Sequence, residues 1–126
     1  MKTTSDHAVI PAHKGVTRIL YAAKYSLAGL KHAWQQEAAF RQEVVFCLLC
    51  LPVVLMADVS GLERAMLFGT AILVIIVELI NSALEAVVDR IGFEYHPLSG
   101  NAKDMGSASV LVSLVLMVGV WLCILL

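Results

Sequence analysis

The chain has 126 residues, 60% of them hydrophobic and only 15% charged, with a formal net charge of −1. A soluble domain of this size cannot bury so much apolar surface and would lack the charge to cover what remained, so a water-soluble globular fold is excluded and a membrane protein is left. The net charge says nothing about partners, and no nucleic-acid partner is expected.

Residues 1–14 are polar, carry a proline and two histidines, and lack the apolar core of a cleavable signal peptide. They read as a disordered tail ahead of a single domain over residues 15–126. The first structured element is a helix over 15–36, where Val16, Ile19, Leu20, Ala23, Leu27, Leu30 and Trp34 recur on one face. Arg18, Lys24, Tyr25, Lys31 and Gln35 fill the rest. A basic amphipathic helix edged by Trp belongs on an anionic membrane surface.

The next apolar run, Val44–Ala57, has 14 residues, short of the roughly 20 needed to cross a bilayer. It spans only if its helix starts near Ala38, which predicts a first transmembrane helix over 38–58, tolerant of Pro52. Asp58, Ser60, Gly61 and Glu63 mark a tight turn. A second span follows over 62–91. The stretch 91–102, rich in turn formers, reads as a long functional loop. The third span, 105–126, carries no charge and places Gly106, Ser109 and Ser113 near helical spacing, residues that let membrane helices approach closely.

Of nine Lys and Arg residues, six precede the first apolar run, two (Arg90, Lys103) lie between the second and third runs, and Arg64 stands alone between the first and second. The positive-inside rule then puts the N-terminus and the 89–104 region in the cytoplasm and the C-terminus outside. Cys47 and Cys50 have the spacing of a redox or zinc pair. They sit in an apolar helix without a second pair, and with Cys123 they read as packing residues.

The informative feature is the second span. Glu78, Asn81 and Glu85 follow one another at intervals of three and four inside an otherwise apolar run, with Ser82 and Asp89 beside them. A charge at mid-bilayer costs at least about 2.5–3.5 kcal/mol, so a stripe of this kind signals a working site. Three spans are too few to enclose it, which points to self-association.

Further charges gather toward the same boundary: Glu37, Glu43 and Asp104, faced by Arg18, Arg41, Arg90 and Lys103. Carboxylates suit a hard cation such as Mg²⁺, and Arg and Lys suit a phosphate. A carboxylate deep in apolar surroundings can serve as a general base, and Glu78 is the candidate. The structural alternative pairs Glu85 with Arg41 or Arg90. No P-loop or protein-kinase signature is present. The residues alone leave a membrane enzyme and a small ion-coupled transporter both open.

The stretch ELINSALEAVVDRIGFEYHPLSGNAKDMGSA over Glu78–Ala108, with EAAFRQE over Glu37–Glu43, strongly resembles the prokaryotic diacylglycerol kinase family. The resemblance covers almost everything from about Val16 to Leu126. It implies an all-α homotrimer of the bacterial inner membrane, with a surface helix and three transmembrane helices per subunit. Each active site would transfer the γ-phosphoryl group of Mg·ATP to diacylglycerol.

By the same resemblance, Glu78 is the general base, Glu37 and Glu85 hold Mg²⁺, and Asn81 positions the reacting groups. Lys103, with Asp104 beside it, faces the nucleotide phosphates. Arg18, Tyr25, Glu94 and His96 lie near the nucleotide, and Ser26 and Ser107 near the lipid headgroup. A related branch phosphorylates undecaprenol with the same core motif; the D-R-I-G-x-E-Y-H-x-L-S-G loop is more similar to the diacylglycerol branch.

Overall fold

A computed structural model describes residues 14–126, so the tail expected over 1–14 falls, but for Lys14, outside the described residues. Four helices follow in order: α1 (Val16–Gln36), α2 (Ala38–Met56), α3 (Gly61–Ile91) and α4 (Pro97–Leu125). Among the described residues every regular element is helical. α2, α3 and α4 are each long and apolar enough to cross a membrane, as expected. By its contacts the chain divides between His32 and Ala33 into two compact units, the first holding most of α1 and the second running to Leu126.

The ends of these helices are specified by side chains. Glu37 alone separates α1 from α2; its extended backbone breaks the helix, and its side chain makes no capping bond. Arg41, one turn into α2, donates from Nη1 to the carbonyls of Trp34 (2.7 Å) and Gln35 (3.2 Å), two of the oxygens that the end of α1 leaves open. Arg64 does the same for α2: its guanidinium donates to Val54 O, to Leu55 O (2.8 Å) and to Ala57 O (3.0 Å). α3 opens on a capping box, with Ser60 N donating to Glu63 Oε2 (2.8 Å) and Glu63 N to Ser60 Oγ (3.2 Å).

α4 begins eight residues before the third span expected from hydropathy, so the loop expected over 91–102 shrinks to the five residues Gly92–His96. The reason is local. Pro97 at the first helical turn brings a φ already suited to a helix and lacks only an N–H that would have gone unbonded there. His96 Nδ1 accepts from Leu98 N at 3.1 Å as the N-cap. Ser99, Gly100 and Asn101, which suggested a loop, fall in the first turn and a half of a helix that is capped and packed.

The second unit is held by α3, which packs along α4 for much of its length and more sparingly against α2. The buried residues of α3 are Leu67, Ala71, Val74, Glu78, Asn81 and Val88. They recur at alternating intervals of four and three, a seam of coiled-coil type, broken only where half-buried Glu85 takes the next place. Its first half is apolar: Leu67 and Val74 are fully enclosed, and Ala71 and Val74 pack with Met117, Cys47 and Trp121. The Trp121 indole N–H donates to Leu67 O and to Thr70 Oγ1, both at 3.1 Å, so α4 is pinned to α3 without an orphaned donor in the apolar layer.

That pin is measurable. Trp121→Phe keeps most of the ring and removes the donor, and is expected to destabilise the folded protein in detergent by about 0.5–1.5 kcal/mol. Trp121→Ala also empties the packing site and is expected to cost about 3–5 kcal/mol. Thermal unfolding of the two variants checks the order.

Candidate functional site

The lower half of the α3 seam turns polar without changing its spacing. Glu78 and Asn81 are 5% and 8% exposed, as enclosed as the apolar residues above them. Ser82 Oγ donates to Glu78 Oε1 at 3.5 Å, and Asn81 Nδ2 donates to Glu85 Oε1 at 3.3 Å. Each polar group is thus steadied by a neighbour one helical turn away, the arrangement that intervals of three and four make possible.

α2 brings two more carboxylates to this level. Glu37, at the start of α2, and Glu43, within it, are half-buried; Glu37 acts electrostatically on Glu78, as Glu85 does from α3, and Glu78 in turn acts on Glu43. Glu43 Oε2 is shielded from solvent and has no protein hydrogen-bond partner. Carboxylates collected in a space poor in water repel one another and call for a cation or a shared proton. The pairing of Glu85 with Arg41 that sequence left open is not formed, since the Arg41 guanidinium is occupied by the α1 carbonyls and Glu85 accepts from Asn81.

Among the described residues no three His, Cys, Asp or Glu side chains form a ready-made metal cage. The donor chemistry fits Mg²⁺ in another way. That ion takes oxygen ligands, keeps several waters, and is commonly held by one or two carboxylates together with substrate phosphates. Glu37, whose side chain is not spent on capping, and Glu85 supply two such carboxylates beside Glu78.

A second polar zone lies at the end of α3. Lys103 Nζ pairs with Asp89 Oδ1 at 2.7 Å, joining the first turns of α4 to the last turns of α3. Around this pair a cavity of about 190 Å³ is lined by Gly92, Glu94, His96, Ser99 and Gly100. The sequence-predicted Glu94, His96 and Lys103 therefore converge on one cavity. Capping engages Nδ1 of His96, which leaves Nε2 of that ring free to meet a ligand. Asp89, one of the two groups sequence left without a fixed role, proves to be the counter-ion of Lys103.

The remaining candidates are not among the residues that line this cavity. Asp104 and Ser107 are exposed on α4 and do not line this cavity. Arg18, Tyr25 and Ser26 lie on α1 within the first unit. There Ser26 Oγ donates to Ala22 O at 2.9 Å, and the Tyr25 ring stands 6.3 Å from that of Tyr21. Sequence reasoning assigned no role to Glu43, although its place in an apolar helix start was a visible signal. Gly106 gave no signal beyond its small size.

The sequence profile of the prokaryotic diacylglycerol kinase family matches residues 24–125. A diacylglycerol kinase of Escherichia coli K12 is 56% identical over 112 residues, covering 89% of this chain and 91% of the relative. One from Pseudomonas aeruginosa is 52% identical over the same shares. One from Helicobacter pylori strain 26695 is 43% identical over 117 residues, 93% of this chain and 91% of the relative. With the profile matching most of the chain and such relatives aligned nearly end to end, the chain belongs to the prokaryotic diacylglycerol kinase family.

Proposed function

We propose that this chain transfers the γ-phosphoryl group of Mg·ATP to the free hydroxyl of diacylglycerol at the cytoplasmic face of the bacterial inner membrane, giving phosphatidic acid and ADP. The observation that carries the reading is Glu78, a carboxylate enclosed in a membrane helix seam and steadied only by Ser82. Such a group is positioned to take the proton of an alcohol that is itself a lipid. The freed oxygen attacks the γ-phosphorus, the bond from that phosphorus to the β–γ bridging oxygen breaks, and ADP leaves with the electron pair.

The two polar zones suit the two substrates. Asp89 lies 11 residues beyond Glu78 on the same helix, a rise of about 16 Å at helical geometry. An extended nucleoside triphosphate has a similar length. With its base and sugar toward Glu94 and His96, a nucleotide of that length can bring its γ-phosphate toward Glu78. Lys103, held at the cavity by Asp89, offers its charge to the phosphates. Asp104 supports that contact from the next position. Glu37 and Glu85 would hold Mg²⁺, whose charge offsets that of the phosphate oxygens. Asn81 keeps Glu85 in place, and Ser26 and Ser107 serve the glycerol headgroup. Arg18 and Tyr25, on the surface helix, complete the nucleotide contacts, so that residues 15–126 act as one kinase domain.

Three spans leave large apolar faces uncovered, among them Leu49, Met56 and Ile80. Assembly as a homotrimer, which the resemblance implies, would seal part of that surface and the half-buried carboxylates with it. The distribution of Lys and Arg supports a cytoplasmic N-terminus and an outer C-terminus.

Purified protein supplied with labelled ATP and Mg²⁺ is expected to label diacylglycerol and not undecaprenol, and to stop when Mg²⁺ is chelated. Label on undecaprenol alone would move the chain to the other branch, and ion flux in sealed vesicles without ATP use would restore the transporter. Glu78→Gln is expected to lower kcat by at least about 100-fold while KM for both substrates stays within a few-fold. Lys103→Ala is expected to raise KM for ATP by about tenfold or more, with KM for the lipid unchanged, because it removes a charge from the nucleotide side alone. Steady-state kinetics in mixed micelles reads both variants.

A further inference from the structure

Asn81 of α3 meets Gly106 of α4 in a contact that leaves no room for a side chain. Gly106 is buried in the α4 face turned toward α3. A Cβ built on it would collide with Asn81 Oδ1 and would stand 3.4 Å from Asn81 Cγ and 3.7 Å from Leu84 Cδ2. No other described glycine is so placed: Gly29, Gly61, Gly69, Gly100 and Gly119 have open space at the same point, and Gly92 has only Glu94 Oε2 at 3.8 Å. Glycine weakens a helix relative to alanine, so its presence here goes against local preference and answers to the neighbour.

The neighbour is an amide with one defined orientation. Asn81 Nδ2 donates to Glu85 Oε1 at 3.3 Å, while Oδ1 is shielded from solvent and accepts no hydrogen bond. Turned the other way, the amide would set its oxygen against the Glu85 carboxylate and press two N–H groups onto the Gly106 backbone. Oδ1 therefore belongs on the α4 side, and it fits there only because Gly106 has no side chain.

We infer that Gly106 is a positioning residue for the phosphoryl-transfer site: its bare Cα seats the Asn81 amide oxygen and so keeps the amide N–H on Glu85. The inference rests on the proposed function in treating Glu85 as a ligand for the cation that accompanies the nucleotide. A methyl group at Gly106 pushes the Asn81 side chain outward, releases Glu85, and loosens the carboxylate beside the reacting phosphate. Ser107, on the exposed side of α4, and the residues lining the cavity at Lys103 do not meet that methyl group, so the lipid and nucleotide contacts remain.

The test is a double-mutant cycle on the full-length protein in mixed micelles, using Gly106→Ala, Asn81→Ala and the two combined. Gly106→Ala is expected to lower kcat by at least about tenfold. The half-saturating Mg²⁺ concentration should rise, with KM for diacylglycerol within about twofold of the parent. The combined variant should fall no further than Asn81→Ala alone, because the collision has gone with the side chain that caused it.

The thermal unfolding midpoint gives the same cycle without turnover. Gly106→Ala should lower it in the parent and leave it unchanged in the Asn81→Ala background. A parent-like kcat for Gly106→Ala, or equal midpoint losses in both backgrounds, overturns the inference. Failure of the parent protein to phosphorylate diacylglycerol refutes the proposed function instead, and the midpoint cycle still reads the contact.

Discussion

An apolar solvent leaves a polar group no partner but the protein itself, and this molecule meets that constraint along one line, the seam between α3 and α4. Going down α3, the contacts with α4 run Leu67 and Thr70 with Trp121, Val74 with Met117, Asn81 with Gly106 and Asp89 with Lys103. The α4 partners run backward as the α3 residues run forward, so the two helices form one antiparallel register. The apolar half fixes that register by packing. The polar half inherits it and needs no separate scaffold to aim its side chains.

Much of this was legible in the sequence because the signals are local. Hydropathy marked three spans, and the intervals between Glu78, Asn81 and Glu85 marked one face of one helix. What escaped depends on which residue of α4 faces which residue of α3. No local pattern tells Lys103 to meet Asp89 rather than a solvated carboxylate, or gives Gly106 a purpose beyond being small. The start of α4 was missed differently: Ser99, Gly100 and Asn101 have loop propensities, and the stronger cue of a capping histidine followed by proline lay just before them. Here the cap and the packing outweigh intrinsic preference.

The site is divided by solvent as well as by chemistry. Around Glu78 the carboxylates are buried or half-buried, and Glu78 and Glu85 find their partners on α3 itself. Around Lys103 the polar groups are open, and the Lys103–Asp89 pair is itself about 40% exposed on both sides. A surface ion pair of this kind adds little to stability. Its value lies in holding a mobile lysine over a cavity that a water-soluble molecule can enter. In the proposed reaction the enclosed end would face the substrate that arrives through lipid, and one helix would present a dry end to one reactant and a wet end to the other.

Arg64 stands across the bilayer from the other basic residues in the proposed topology, and its guanidinium is bound to three carbonyls at the end of α2. A planar fork with several fixed donors can close a helix end in this way, whereas a lysine ammonium offers one point of charge. The lone cation of that turn is thereby engaged within the fold, as the Glu63 carboxylate is by Ser60 N. With Asp58 and Glu63 against Arg64 the turn is net negative, so in the proposed topology the outer face keeps the charge asymmetry that the positive-inside rule requires, while its one cation also finishes the first hairpin.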